Sequence, residues 1–163
     1  MFLKAFTCAL LAVAVGAATI PPPQADRIIV HKKDRTLQLL RGDIVLRAYK
    51  IALGGDPIGR KTCQGDHRTP EGTYAIDSRN AGSKFHRALH VSYPNADDRK
   101  RAAATHCSAG GDIMIHGLPN RYGFVGASHR LQDWTDGCIA VTDQEIEEVW
   151  SLVPNGTPVE IRP

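Results

Sequence analysis

Between Arg27 and Leu53 the chain presents three apolar, β-branched runs separated only by tight turns: "RIIVHKK" (Arg27–Lys33), "TLQLLR" (Thr36–Arg41) and "IVLRAYKIAL" (Ile44–Leu53). Asp34-Arg35 and Gly42-Asp43 are short hairpin connections, and such turns force consecutive strands to lie antiparallel. A chain that begins this way is committed to a sheet. Further strand-like runs follow at "TYAID", "ALHVSYP", "DIMIHG" and "TPVEIR". Two helices are expected. One is N-capped by Asn95 with acids in its first turn. The other opens with Thr142-x-x-Glu145, a capping box, and places Ile146, Val149, Trp150 and Val153 on one face. About eight strands and two short helices read as a mainly β domain, a sandwich or closed sheet.

The ends and the cysteines bound the setting. "MFLKAFTCALLAVAVGAATI" has one lysine, an apolar run and then small residues, the pattern of a secretory signal over residues 1–18, cleaved after Ala17 or Ala18. An uncleaved anchor is the competing reading, but the run is short for a bilayer span. Residues 19–26 form a Pro-rich linker and residues 27–163 the folded domain. Removing Lys4 takes the formal charge from +3 to +2, with both signs scattered. No concentrated basic face is left to bind nucleic acid, and no membrane contact is expected after cleavage. The mature chain is expected to be a monomer free in the periplasm or cell envelope.

Three cysteines survive cleavage: Cys63, Cys107 and Cys138. In an oxidising compartment an odd count leaves one thiol free or intermolecularly paired. If Cys138 is the working nucleophile, Cys63 and Cys107 are left to pair. Cys138 sits in "DWTDGCIAV", where Gly137 allows a tight turn and its N–H is a candidate oxyanion-hole donor. The helix that follows is expected to favour thiolate through its positive end. His116, ending the strand "DIMIH" before Gly117, is the candidate general base. His129 is a second histidine in the intervening polar loop. His116, His129, Asp136 and Cys138 include zinc-ligand types, yet no HExxH or CxxC spacing occurs, so no metal and no cofactor are expected.

The two motifs together resemble the L,D-transpeptidase catalytic domain (YkuD) family, whose pattern is His-Gly on a strand, then a loop, then Ser/Thr-His-Gly-Cys. His116-Gly117 and Thr135-x-Gly137-Cys138 match it, and "LGGDPIGRKTCQGDHRTPEGTYAI" is similar to the family's approach segment. This chain departs from the pattern in having Asp136 for histidine, Ala140 for arginine or asparagine, and a longer loop of 138 − 116 = 22 positions. These mark a bacterial branch with a TDGC motif. The resemblance implies a cysteine acyltransferase acting on peptidoglycan stem peptides, with release of D-alanine and amide formation to an acceptor amine. Cys138 is then the nucleophile and His116 the acid/base. A carboxylate is too weak a base for a thiol, so Asp136 is expected to orient His116 as a third member. Thr135, His129, Tyr93, Arg79 and His90 are candidate substrate-binding residues. Two alternatives stand beside this reading: a carboxypeptidase or amidase using the same cysteine with water as acceptor, and a non-catalytic wall-binding module.

Overall fold

The structure is a computed structural model that describes residues 23–163. The leader expected over residues 1–18 and the first half of the linker, residues 19–22, lie outside the described residues. The first three strands are β1 (Arg27–His31), β2 (Thr36–Arg41) and β3 (Ile44–Lys50), paired antiparallel in sequence as the turns dictate. The remaining strands are β4 (Gly72–Asn80), β5 (Ala88–Val91), β6 (Met114–His116), β7 (Ile139–Ala140) and β8 (Pro158–Arg162). All eight form one sheet in the order β3-β2-β1-β8-β4-β5-β6-β7.

That sheet curls until its two edges meet. Past the end of β3, Ala52 and Ala140 exchange N–H···O bonds of 3.0 and 2.9 Å, and Thr135 N–H donates to Leu53 O at 3.1 Å. The segment that carries the TDGC motif is thereby stitched to the chain just past β3. Of the two architectures read from the sequence, the closed sheet is the one formed.

Helix α1 (Ala96–Ala104) starts at Asn95, whose side chain accepts from Asp98 N–H while the Asp98 carboxylate accepts from Asn95 N–H. Helix α2 (Asp143–Leu152) has the reciprocal Thr142/Glu145 box. Its buried side chains Ile146, Val149 and Leu152 join one hydrophobic core with strand residues that include Leu39, Ile76, Leu89, Ile115 and Ile139. Each such burial contributes about 1.5–3 kcal/mol. A third helical piece, a 3-10 stretch over Gly123–Leu131 kinked at Gly126, has no apolar period to announce it.

The long segment between β3 and β4 is held by buried lysines. Lys32 Nζ donates to Gly59 O, Thr69 O and Glu71 at 2.5, 3.0 and 2.7 Å. Lys61 Nζ donates to Asp66 at 2.7 Å and to Cys63 O at 3.2 Å. Buried ammonium groups demand this saturation. The outcome is an ordered wall beside the TDGC turn.

Candidate active site

Sheet register brings the candidate nucleophile and the candidate base to neighbouring strands. β6 and β7 run parallel, with Ile115 opposite Ile139 and His116 opposite Ala140. Ile115 and Ile139 are fully buried in the core, so pleat alternation sends His116 and Cys138 to the other face. Diagonal neighbours on adjacent strands lie roughly 7–8 Å apart, a span that an imidazole can bridge. The sulfur rests against the segment that leads into β6, where it donates to Asp112 O at 3.5 Å. Among the described residues no hydrogen bond yet joins thiol and imidazole.

His116 is 3 % exposed, with its ring between Phe85 (4.5 Å between centroids) and the edge of Trp134 (5.9 Å). Its Nδ1 lies 2.7 Å from Gly117 O. A carbonyl only accepts, so Nδ1 carries the hydrogen and Nε2 the lone pair. Burial holds the imidazole pKa below the ordinary histidine value, against a raising effect of the Gly117 carbonyl. Burial likewise pushes the Cys138 thiol up, with Asp136 and Asp112 adding to it, while Met114 N–H and Lys61 oppose. The resting pair is a neutral thiol and a neutral base. The expected net thiolate bias from α2 is therefore outweighed.

The TDGC turn is built from inside. Thr135 Oγ1 donates to Cys138 O at 2.7 Å and accepts from Gly137 N–H at 3.2 Å. Gly137 has φ +126, and a Cβ there would meet Arg68 O at 2.6 Å, so only glycine fits under the neighbouring loop. Two expectations change accordingly. The Gly137 N–H is engaged by Thr135 rather than free for an oxyanion, and the buried Thr135 staples the turn instead of facing substrate.

Asp136 is corrected as well. Its carboxylate lies 2.9 Å from His67 Nδ1, and its side chain is 91 % exposed; the hydrogen of His116 Nδ1 goes to a backbone carbonyl instead. Tyr93 belongs to the core: it is 3 % exposed, and its hydroxyl donates to Ala109 O at 2.9 Å. Arg79 packs its guanidinium over Trp150 on α2, 3.9 Å from the ring centroid, alongside Arg87. His90 lies opposite Met114, one rung below His116 on the cleft face, with Nδ1 2.6 Å from Asp77. His129 is buried, its Nδ1 accepting from Trp134 Nε1–H at 3.4 Å. Cys63 and Cys107 are joined by a disulfide, S–S 1.99 Å, and Cys138 is a free cysteine. Among the described residues no three His, Cys, Asp or Glu side chains gather as a metal set.

Sequence reading missed Phe85 and Trp134, the ring walls around His116, as well as His67 and the Asp112 carbonyl. Trp134 lies inside the quoted motif. Asp133, beside it, explains the second acid near the cysteine: its carboxylate accepts from Leu53 N–H at 2.8 Å and from Arg35 at 2.8 and 3.0 Å. It anchors the closure of the sheet.

Comparison with known proteins identifies the family and the fold. The YkuD profile, described as the L,D-transpeptidase catalytic domain, matches residues 25–161. YafK of Escherichia coli strain K12 is 31 % identical over 132 residues, covering 77 % of this chain and 46 % of YafK. The chain thus spans about half the length of the curated relatives it matches. The crystal structure of the helical cell shape determining protein Pgp2 from Campylobacter jejuni superposes with a TM-score of 0.65 at 25 % identity, covering 86 % of this chain and 48 % of Pgp2. An L,D-transpeptidase from Mycobacterium smegmatis shares the fold at TM-score 0.56 and 15 % identity, covering 85 % of this chain and 59 % of that one. With the family profile matching nearly the whole described chain, the protein belongs to the L,D-transpeptidase catalytic domain family.

Proposed function

We propose that this domain is an exported cysteine acyltransferase of the cell envelope that cross-links peptidoglycan stem peptides. The observation that supports the reading is the parallel register of β6 and β7, with His116 opposite Ala140 and Cys138 just ahead of β7, together with the bond to Gly117 O that leaves His116 Nε2 with a lone pair.

The chemistry runs in two steps. Nε2 of His116 takes the thiol proton as Sγ of Cys138 attacks the carbonyl of the third stem residue. The tetrahedral intermediate collapses with cleavage of the peptide C–N bond, and the imidazolium returns that proton to the departing D-alanine nitrogen. In the second step an acceptor amine attacks the thioester and gives a proton to His116, which delivers it to the leaving sulfur. Phe85 and Trp134 keep water from the imidazole and fix its plane. Thr135 holds the backbone that presents the sulfur.

The test is product mass analysis after incubating wild type and Cys138→Ala with disaccharide tetrapeptide fragments. Cross-linked dimer and released D-alanine from wild type alone support the reading. Tripeptide without dimer assigns water as acceptor. No Cys138-dependent product from any fragment leaves the domain a wall-binding module.

A further inference from the structure

We propose that His90, held by Asp77, is a second base of this site: it takes the proton that an alkylammonium acceptor must lose before its nitrogen attacks the thioester on Cys138. His90 acts within the acyl transfer proposed above, on which this role rests, and Asp77 is its positioning residue.

The strands bring this pair to the cleft. His90 lies opposite Met114 across β5 and β6. The parallel register of β6 and β7, with Ile115 opposite Ile139, sets Met114 beside Cys138, just ahead of β7. Leu89, Val91, Ile115 and Ile139 are fully buried, so pleat alternation sends His90 and Met114 to the other face, and Cys138 continues their row. His90 and Cys138 are two strand spacings apart, about 10 Å between backbones. A substrate chain laid across Met114 fills that interval.

Asp77 reaches His90 through a break in the ladder. The β4–β5 register shifts between Ile76 and Ser78, which leaves Asp77 as an extra residue on β4. A bulge of this kind re-aims a side chain and is over-represented next to active sites. Here it brings Asp77 Oδ1 to 2.6 Å from His90 Nδ1. A carboxylate only accepts, so Nδ1 carries the hydrogen and Nε2 the lone pair. Among the described residues no hydrogen bond engages Nε2. The His90 and Asp77 side chains are 22 % and 47 % exposed, within reach of a ligand yet fixed on strands. His67 also meets a carboxylate through Nδ1, but it stands on a loop, and it and Asp136 are 58 % and 91 % exposed. His86 has its Nε2 engaged by Glu147. A base carried on a strand is held more closely than one on a loop.

The acceptor's own protons call for such a base. A side-chain alkylamine has a pKa near 10.4, so at neutral pH about one molecule in a thousand or fewer is unprotonated. An R–NH3+ group sheds two protons on becoming an amide N–H, one before the C–N bond forms and one after. His116 carries the second, which it returns to the sulfur as the C–S bond breaks. The first goes to Nε2 of His90, and the Asp77 carboxylate stabilises the imidazolium until solvent takes the proton. The freed lone pair attacks the thioester carbon. In sum, ammonium and thioester give amide, thiol and one proton to solvent. Water is neutral and has no first proton to lose, so His90 favours amines over hydrolysis.

The test reads how the acyl-enzyme partitions. Full-length protein acylated by the tetrapeptide fragment is offered a lysine-containing tripeptide at neutral pH, and the ratio of amide to hydrolysed product is measured by mass. His90→Gln is expected to lower that ratio about tenfold to a hundredfold. With hydroxylamine, an amine already neutral at this pH, the ratio of hydroxamate to hydrolysed product is expected to move by less than about twofold. Added imidazole is expected to restore part of the loss in His90→Ala. Asp77→Ala is expected to lower the tripeptide ratio about threefold to tenfold, and Asp77→Asn, which keeps an oxygen for Nδ1–H, to recover part of it. A merely structural role moves both acceptors alike and gains nothing from imidazole. An unchanged ratio in His90→Gln, an equal loss with hydroxylamine or no rescue by imidazole overturns the proposal. If the wild type releases D-alanine but passes its acyl group only to water, the second base falls while acylation of Cys138 stands. If the wild type releases no D-alanine, the acyltransferase reading itself fails and the role of His90 with it.

Discussion

Thr135 Oγ1 bonds both to the carbonyl of Cys138, at 2.7 Å, and to the N–H of Gly137, at 3.2 Å, so one buried hydroxyl sets the backbone path through Cys138. Thr135→Val keeps the shape and strips both bonds, leaving a buried donor and acceptor that cost about 1–3 kcal/mol each. A displaced sulfur is expensive in rate, so kcat/KM is expected to fall on the order of a hundredfold. Thr135→Ser restores the hydroxyl and is expected to lie within about threefold of wild type, because the bonds do not involve the methyl. Steady-state kinetics together with thermal melts separate the two variants.

Buried, neutral His116 makes the protein acid-sensitive in a defined direction. Its pKa in the folded chain lies below the ordinary value of 6.5, and that of His129 falls to about 4. An unfolded chain therefore binds more protons than the folded one once pH drops through 6.5, and stability falls with it. The contribution is complete above that value. Melting temperature is expected to be flat from pH 7 to 8 and to decline from pH 6.5 toward 4. The acid limb of kcat/KM is expected below pH 6.5, since the base stays unprotonated longer than a free histidine would.

Asp136 faces solvent and pairs with His67, so its charge acts on the sulfur only through space. It opposes thiolate formation, as does Asp112. Asp136→Asn is expected to speed iodoacetamide alkylation of Cys138 at pH 8 about two- to threefold, a small effect because the carboxylate is screened by water and salt. Turnover should stay within about twofold of wild type, because the base is positioned elsewhere. Loss of turnover to the level of a His116 variant would instead return Asp136 to the catalytic machinery.

What could be read from the sequence was local. The first hairpins follow from β-branched alternation and two turn dipeptides, and both helix starts from caps whose partners lie three residues away. The motifs around Cys138 and His116 could be picked out because each is short and contiguous. The supporting contacts were not. Asp136 meets His67 across 69 residues of chain, and Asp133 meets Arg35 across 98. No periodicity encodes such pairs. Tyr93 and Arg79 misled for the opposite reason: a polar tip on a strand reads as a cleft residue until the backbone carbonyl of Ala109 and the ring of Trp150 claim it. The 3-10 segment stayed hidden because its buried group is a histidine rather than an apolar side chain.

The Cys63–Cys107 bridge ties the loop before β4 to the approach of β6, and so bears on the surroundings of Cys138. Gln64 N–H donates to Ser108 O at 2.7 Å just beyond the bridge, and four residues further on Asp112 O accepts from the thiol. The half-cystines are 44 residues apart, a loop whose closure in the unfolded chain is worth about 4 kcal/mol in the chain-entropy model. Cys63→Ala/Cys107→Ala is therefore expected to lower Tm on the order of 10 °C. Its kcat/KM, measured well below the new Tm, is expected to drop about three- to tenfold, because the wall that carries Asp112 and Lys61 loses its cross-link. Alkylation of Cys138 should quicken in the same variant as the half-buried sulfur opens further to solvent. A variant that melts early but keeps wild-type kinetics and thiol reactivity would confine the bridge to stability alone.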